Sequence, residues 1–455
     1  MRLIGSDDLL PRPGTILLWS VSADPAAARV QEAPPSFNQR THLAGTGRLT
    51  WLAVAAEVPG PIQRADLARA VLGLLARHES LRTSFRRTPH GLRRAVHPAE
   101  SLTLRPRPAR AVASPTLVRD VVTDFVSESC SRPWSAPAVA VAAVDRPDRS
   151  TIVIGIDHAL GDAWSLTVLL DDLVQLYRGA PADPVATPAF GLHCAREAAT
   201  VVDSGDPRLA DWLRFLRAHG NAPPSFPGPT GVPPGEVRRA VLRTDVLIGA
   251  DDADAAEASC RALDAGPFAG ALAALAHAVA AEDDDHHRSR SLSLLFPLHT
   301  RTLPDENRAV GWYVTNAPVT VAVSNDIRST TRGAGFALRA ALPLGAVPID
   351  TVVRALGELR RPRHDVFMAS YVDYRRLPGH ATHGPLDARH VSAVTDADDV
   401  QIWFTRTDTG LAVRTRVPDT VIARATVDRL IERMRVHLTA LARPAILAAD
   451  PAPVQ

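Results

Sequence analysis

The chain has 455 residues, of which 46% are hydrophobic and 22% are charged, so it is a globular sequence too long for one ordinary core. The 51 basic residues nearly balance the 49 acidic ones, and this balance argues against nucleic acid as a partner. All 51 are arginine, which excludes Schiff-base and Walker-type lysine chemistry.

Targeting and redox features are sparse. No apolar run is long enough to span a bilayer, and the first residues lack the apolar core of a signal peptide, so we expect a cytoplasmic protein without membrane attachment. Cys130, Cys194 and Cys260 show neither metal-ligand nor disulfide spacing, and we expect buried small hydrophobes at all three positions. No metal site is predicted.

Hydrophobic periodicity in the first half predicts mixed helices and strands. Strands are predicted over 49–58, 138–143 and 151–156, and helices over 64–77, 115–128 and 166–177. The stretch 179–188 is rich in proline and alanine and is the best candidate for a linker.

The second half repeats the mixture. Helices are predicted near 191–203, 207–219, 326–342, 347–359 and 420–442, together with one long alanine-rich helix over roughly 251–281. Strands are predicted over 236–243 and 290–296 and near 316–323, 366–371, 400–405 and 410–415. Each half is therefore predicted to form an α/β lobe.

The segment from Ile156 to Ser165 carries the clearest chemical signal. His158 comes where a buried, β-branched strand ends, and Asp162 follows just before a helix that Ser165 is expected to cap. Open α/β sheets place their chemistry at such strand-to-helix corners. An imidazole there can act as a general base near neutral pH, although a lone histidine is more often a hydrogen-bonded core residue.

Four ordered segments resemble the condensation domains of nonribosomal peptide synthetases, which belong to the chloramphenicol-acetyltransferase-like superfamily of acyltransferases. Residues 77–85 resemble the RHExLRTxF segment, 157–165 the HHxxxDGxS core motif, and 169–177 the helix after that motif. Residues 301–318 are similar to an arginine followed by a Gly-x-x-x-Asn-x-x-Pro strand entry. The resemblance extends over roughly residues 15–445.

This resemblance implies two chloramphenicol-acetyltransferase-like α/β lobes in a V-shaped pseudo-dimer with a central tunnel. The N-terminal lobe, 1–180, would carry the core motif, and 190–455 would form the C-terminal lobe. Carrier proteins would dock at the tunnel mouths and present substrates on phosphopantetheine, with no cofactor bound directly. A monomer is expected.

The resemblance also assigns roles to residues. His158 matches the motif histidine usually assigned to catalysis, which accepts a proton from an attacking amine or hydroxyl or stabilises the oxyanion. Asp162 matches a structural aspartate that pairs with an arginine, and Arg301 is the candidate partner. The substrate tunnel is predicted to be lined by Gly161, Ala163, Trp164, Tyr313, Asn316 and Ser370.

Two motif positions depart from the family pattern. Asp157 replaces the first histidine, a supporting position, and Ala163 replaces a glycine that would allow a positive φ or a close approach of the backbone. Asp157, Asp162 and Ser165 also fit the DxxxxDxxS motif of heterocyclisation domains, which usually lack a histidine at position 158.

The predicted function is that of a freestanding condensation enzyme in natural-product biosynthesis. It would form an amide or ester bond between a carrier-tethered acyl or aminoacyl thioester and an amine or alcohol acceptor. The alternatives are an altered domain that catalyses cyclisation or dehydration, and a non-catalytic module that recruits carrier proteins or tailoring enzymes.

Overall fold

The structure is a computed structural model that describes residues 1–45, 50–131, 133–134, 136–180, 187–282 and 291–443. Its strands in these ranges are β1 (Arg2–Gly5), β2 (Gly14–Ala23), β3 (Arg29–Val30), β4 (Trp51–Pro59), β5 (Thr83–Thr88), β6 (Gly91–Val96), β7 (Leu102–Pro106), β8 (Arg110–Val112), β9 (Val139–Asp145), β10 (Arg149–Asp157), β11 (Arg238–Gly249), β12 (Ser291–His299), β13 (Val314–Ala322), β14 (Met368–Asp373), β15 (Arg389–Ser392), β16 (Asp396–Ala397), β17 (Gln401–Thr407) and β18 (Gly410–Pro418). Its helices are α1 (Phe37–Ala44), α2 (Arg64–Arg77), α3 (Pro115–Cys130), α4 (Ala163–Tyr177), α5 (Phe190–Ala199), α6 (Pro207–Ala218), α7 (Ala250–Ala262), α8 (Pro267–Ala280), α9 (Ile327–Ala341), α10 (Ile349–Leu356), α11 (His380–His383) and α12 (Val421–Ala442). The mixed α/β class predicted from the sequence is confirmed.

The first large sheet has the strand order β1-β15-β4-β10-β9-β2-β7, with β8 paired to β2. Strand β10 lies near its centre, and eight of its nine residues are buried because helices cover both faces of the sheet. Helices α2 and α4 pack on one face, and α3 packs on the other. This packing explains why β10 reads as a continuous apolar run instead of an alternating one.

The second large sheet has the order β13-β12-β14-β17-β18-β11-β16. One of its faces packs against α8, α9 and α12 and forms the largest apolar cluster of the described residues. The opposite face is turned toward β1 of the first sheet, since the Thr244 hydroxyl donates to the Leu3 carbonyl oxygen at 2.8 Å. A third, three-stranded sheet of β3, β6 and β5 flanks the first half.

Strand β15 crosses between the two halves of the chain. It comes from the second half but lies between β1 and β4 of the first sheet, parallel to β1 and antiparallel to β4. Four residues are too few for a periodic signal, and the sequence did not predict this strand. A division of the chain into lobes 1–180 and 190–455 stays a prediction, and residues 389–392 would be an exception to it.

The long helix predicted over 251–281 is wrong. The structure has two helices, α7 and α8, whose axes are bent by 99°. Asp264 has φ +54° between them, and Pro267 is the first residue of α8. Proline lacks an N–H and fits the first turn of a helix but not its interior, so the chain breaks there despite its alanine content.

Residues 181–186 of the candidate linker lie outside the described residues. Within the described ranges, no single helix has the length and hydropathy to cross a membrane, and the pairs Ala250–Ala262 with Pro267–Ala280 and Ile327–Ala346 with Ile349–Leu356 reach the criterion only as bent pairs.

Candidate active site

The core motif forms a tight corner between β10 and α4. The corner has two carboxylate caps: Asp157 Oδ1 accepts the Ala159 N–H at 2.7 Å, and Asp162 Oδ1 accepts the Ser165 N–H at 2.8 Å. Because aspartate is a favoured N-cap, these residues stop the strand and start the helix. Ser165 was the predicted cap, but Asp162 caps the helix, which begins at Ala163.

His158 projects from this corner and is half-buried. Its Nδ1 lies 2.9 Å from the Gly161 carbonyl oxygen, which can only accept, so Nδ1 carries the proton and Nε2 has a free lone pair. Burial, and then the nearby His42, lower the pKa of His158 to about 4. The ring is therefore neutral at pH 7, with Nε2 able to accept a proton.

Little space for a side chain is left at Gly161. A Cβ atom there would lie 2.8 Å from Ile156 Cδ1 and 3.1 Å from Ser165 Cβ. The Ile156 methyl group ends a flexible side chain and can move away, so the firmer restriction is at Ser165 Cβ, in the first turn of α4. The Gly161 carbonyl oxygen accepts the hydrogen bond from His158 Nδ1 and so orients the imidazole ring, in addition to any contact with substrate.

His42 and Trp312 complete an aromatic cluster around His158. The Trp312 indole stacks on the His158 imidazole with ring centres 3.9 Å apart and planes inclined by 20°. His42, in α1, places its Nε2 3.0 Å from Asp157 Oδ1 and its ring centre 6.2 Å from that of His158. His42 thereby partners the buried carboxylate that replaces the first motif histidine.

Both residues were missed in the sequence analysis. Trp312 lies within the segment compared with the family, but Tyr313 was chosen there instead. Helix α1 was not predicted at all, because its eight residues have low hydropathy and only Gln39 and Leu43 are buried. Its capping box, in which Ser36 and Gln39 bond each other's backbone N–H groups, was the available signal.

Asp162 and Arg301 form a buried, bidentate ion pair. Arg301 Nη1 and Nη2 lie 2.8 Å and 3.1 Å from the two carboxylate oxygens. The carboxylate also accepts the Ser165 hydroxyl at 2.8 Å and the Tyr313 N–H at 3.1 Å. Burial raises the pKa of Asp162, but Arg301 and these hydrogen bonds outweigh it, so the net pKa lies below the ordinary value.

Ala163 and Trp164, the predicted tunnel residues at the start of α4, make different contacts. Ala163 is the first residue of α4 and has no positive φ, so the backbone freedom of glycine is not needed there. The Trp164 indole N–H donates to the Asn307 carbonyl oxygen at 3.0 Å, and Arg301 lies over the indole ring. Trp164 therefore packs the motif helix against the second half of the chain.

Tyr313, Asn316 and Ser370 come from the second half. The Tyr313 ring is buried against Phe190 with centres 4.9 Å apart, and Trp312 instead of Tyr313 lies on His158. Asn316 Oδ1 and Ser370 Oγ are buried atoms without a hydrogen-bond partner among the described residues. Such atoms carry a desolvation cost unless something bonds them, and the role of these two residues in a substrate tunnel stays a prediction.

The three cysteines are free and buried, as the sequence predicted. Burial raises the pKa of Cys194 and Cys260 to about 11 and raises that of Cys130 as well. A thiolate nucleophile at neutral pH is thereby disfavoured.

No family model matches the chain. The AMB antimetabolite synthetase AmbE of Pseudomonas aeruginosa is 25% identical over 368 residues, which cover 76% of this chain and 16% of AmbE. Nonribosomal peptide synthetase penN of Penicillium thymicola is 24% identical over 352 residues, which cover 70% of this chain and 12% of that protein. The chain thus spans only a small part of the length of the curated relatives it matches.

Solved structures agree over almost the whole chain. The PapA2 acyl transferase aligns with a TM-score of 0.84 and 22% identity, covering 98% of this chain and all of that one (100%). The first condensation domain of the CDA synthetase aligns with a TM-score of 0.68 and 17% identity, covering 92% and 97%. The chain therefore has the fold of condensation domains, and its resemblance to the condensation domains of nonribosomal peptide synthetases is confirmed.

Proposed function

We propose that the protein is an acyltransferase that forms an amide or ester bond between an acyl or aminoacyl thioester and an amine or alcohol. The observation that carries this proposal is the state of His158. Its Nδ1–H is held by the Gly161 carbonyl oxygen, its lowered pKa keeps it neutral, and its Nε2 is free. A neutral imidazole with one free nitrogen is the form that a general base requires.

In this proposal, His158 acts at the addition step. Nε2 accepts the proton of the nucleophile as its nitrogen or oxygen bonds to the thioester carbonyl carbon. The tetrahedral intermediate then breaks its carbon–sulfur bond, and the proton passes to the departing thiolate. The Asp162–Arg301 pair holds the corner in shape and takes no part in proton transfer.

The substrate carriers are part of the same proposal. The sequence relatives are nonribosomal peptide synthetases, and the structural relatives include a condensation domain. We infer that the donor is presented as a thioester on the phosphopantetheine of a carrier protein and that the product enters natural-product biosynthesis.

The test is a reconstitution with carrier proteins loaded with acyl and aminoacyl groups, a panel of amines and alcohols, and mass spectrometry of the products. The expected product has the summed mass of donor and acceptor less the released thiol. Loss of water from a single substrate would instead indicate cyclisation or dehydration. No product in any combination, in the presence of tight carrier binding, would contradict the acyltransferase proposal.

A non-catalytic binding module is the second candidate, and one contact favours it. The Trp312 indole covers one face of the His158 ring at 3.9 Å, next to the altered motif position Asp157. In a binding module, neither the parent nor Trp312→Ala forms a product, and both bind the carrier protein. If Trp312 instead lines the substrate path, Trp312→Ala changes KM for the acceptor.

The pH dependence of kcat/KM tests the state of His158. Because its pKa is lowered to about 4, we expect the acid limb to fall as the pH approaches 4 instead of near the ordinary value of 6.5. His42 contributes to this lowering, so His42→Ala is expected to move the limb to higher pH. His90→Ala, at an exposed turn, is the control and leaves the limb in place.

Circular dichroism at each pH shows that the protein stays folded during these measurements. An acid limb of the parent near pH 6.5, or the same limb in the parent and His42→Ala, would contradict the assignment.

A further inference from the structure

Three strands of the second sheet present a row of polar and aromatic side chains to the space between the two large sheets. In register across β14, β17 and β18, Ser370 pairs with Trp403, and Trp403 pairs with Arg414. Paired residues project to the same face of a sheet, and the residues adjacent to them, such as Phe404 and Val413, fill the apolar cluster on the opposite face. The row therefore faces the first sheet.

Arg414 is buried in this row, with 4% of its surface exposed. Its Nη1 donates to the Ser392 hydroxyl at 3.2 Å and its Nη2 to the Ile4 carbonyl oxygen at 3.1 Å, whereas its Nε has no partner in the described ranges. The guanidinium carbon lies 5.8 Å from the centre of the Trp403 ring. Burial lowers the pKa of Arg414 to about 10, so the side chain stays charged at neutral pH.

The charge of Arg414 is unusual among the buried arginines. In the described part of the chain, the other buried arginines each form an ion pair with a carboxylate: Arg94, Arg146, Arg301, Arg406 and Arg416. Arg414 forms none there, and the carboxylate whose charge acts on it, Asp8, is exposed. A buried charge without a counter-ion is costly, so its retention points to an anion that arrives from outside.

His390 lies beside this charge, on a strand that leads to the active site. Its Nε2 lies 3.4 Å from the Ser392 hydroxyl oxygen that also accepts from Arg414. Burial, and then the charge of Arg414, lower the pKa of His390 to about 3. Strand β15 pairs Ser392 with Leu52 of β4, and the adjacent Trp51 pairs with Asp157, so this group lies near the active-site corner. The unpartnered Ser370 hydroxyl lies on the same wall.

We propose that Arg414 binds an anionic group of the substrate, a carboxylate or a sulfate ester, in the space between the two sheets. Trp403 packs beside the anion-binding guanidinium, and Ser370 supplies a further hydrogen bond. This inference rests on the proposed function only for the nature of the reaction, because binding of the anion needs no turnover. It narrows the substrates to a pair in which the acyl group or the acceptor carries an anionic group.

Binding is measured by ligand-observed NMR or calorimetry at constant ionic strength with benzoate, phenyl sulfate and the neutral isostere benzamide as probes. We expect benzoate or phenyl sulfate to bind about tenfold or more tightly than benzamide, and the tighter of the two identifies a carboxylate or sulfate site. Arg414→Met is expected to bring benzoate and phenyl sulfate down to the level of benzamide.

Arg354→Met is the matched control, because Arg354 is exposed and its side chain bonds the Thr351 hydroxyl. It removes the same charge and is expected to leave binding unchanged. Equal binding of benzoate, phenyl sulfate and benzamide to the parent would overturn the proposal, even if Arg414→Met does not fold. Equal loss in both variants would overturn it too, whereas anion binding without acyl transfer would refute only the proposed function.

Discussion

Replacement of His158 by alanine is expected to lower kcat/KM for acyl transfer by about 10²- to 10⁴-fold, the usual contribution of a general base. The loss follows because no other described side chain places a free, neutral nitrogen at this corner: His42 bonds Asp157 through Nε2, and Trp312 covers the ring of His158. The rate is measured with the carrier-bound donor and acceptor that the reconstitution identifies.

Folding controls separate this effect from damage to the corner. His158→Asn keeps a polar side chain beside the Gly161 carbonyl oxygen but has no basic nitrogen. It is therefore expected to have the melting temperature of the parent and to be inactive. If His158→Ala turns over as fast as the parent with the true substrates, the assignment of His158 as the base is refuted.

Replacement of Asp162 by alanine is expected to cost about 3–5 kcal/mol of the free energy of unfolding, because it leaves Arg301 charged and buried without its carboxylate. Because Asp162 lies in the first half of the chain and Arg301 in the second, the variant also loses a contact between the two halves close to His158. A loss of this size is large beside the about 5–15 kcal/mol that stabilises most proteins. Chemical denaturation and soluble yield measure it.

Two variants make this prediction specific. Asp66→Ala removes one partner of the exposed Asp66–Arg69 pair and is expected to cost about 1 kcal/mol or less. Combining Asp162→Asn with Arg301→Met removes both charges and is expected to recover part of the stability. Normal yield and melting temperature for Asp162→Ala, with activity alone lost, would show that Asp162 acts in the chemistry instead.

The sequence predicted the elements whose periodicity is long and regular. Helix α2 has the predicted bounds 64–77, and the strand before the motif and the helix after it lie within a few residues of their predicted positions. The pairing of Asp162 with Arg301, inferred from the resemblance, is present as a buried bidentate contact. Residues 139 apart in the chain meet here, and periodicity alone carries no information about that contact.

Short elements were the ones missed. Helix α1 and strand β15 have eight and four residues, too few for a periodic pattern to stand out, yet α1 brings His42 to His158 and β15 brings Ser392 to Arg414. One long helix was predicted where α7 and α8 are separate, because the alanine-rich composition masked the local effect of Pro267.

By itself, the sequence determined the α/β class, the strand-to-helix corner and the identity of its histidine and aspartate, because these depend on local spacing and on an ordered set of motifs. Only the tertiary structure decided what surrounds them. It brought together distant segments in three places: Trp312 stacks on His158, His42 bonds Asp157, and Arg414 bonds Ser392 and Ile4 without a carboxylate partner among the described residues. Such contacts depend on how sheets and helices pack, and packing is a property of the whole chain.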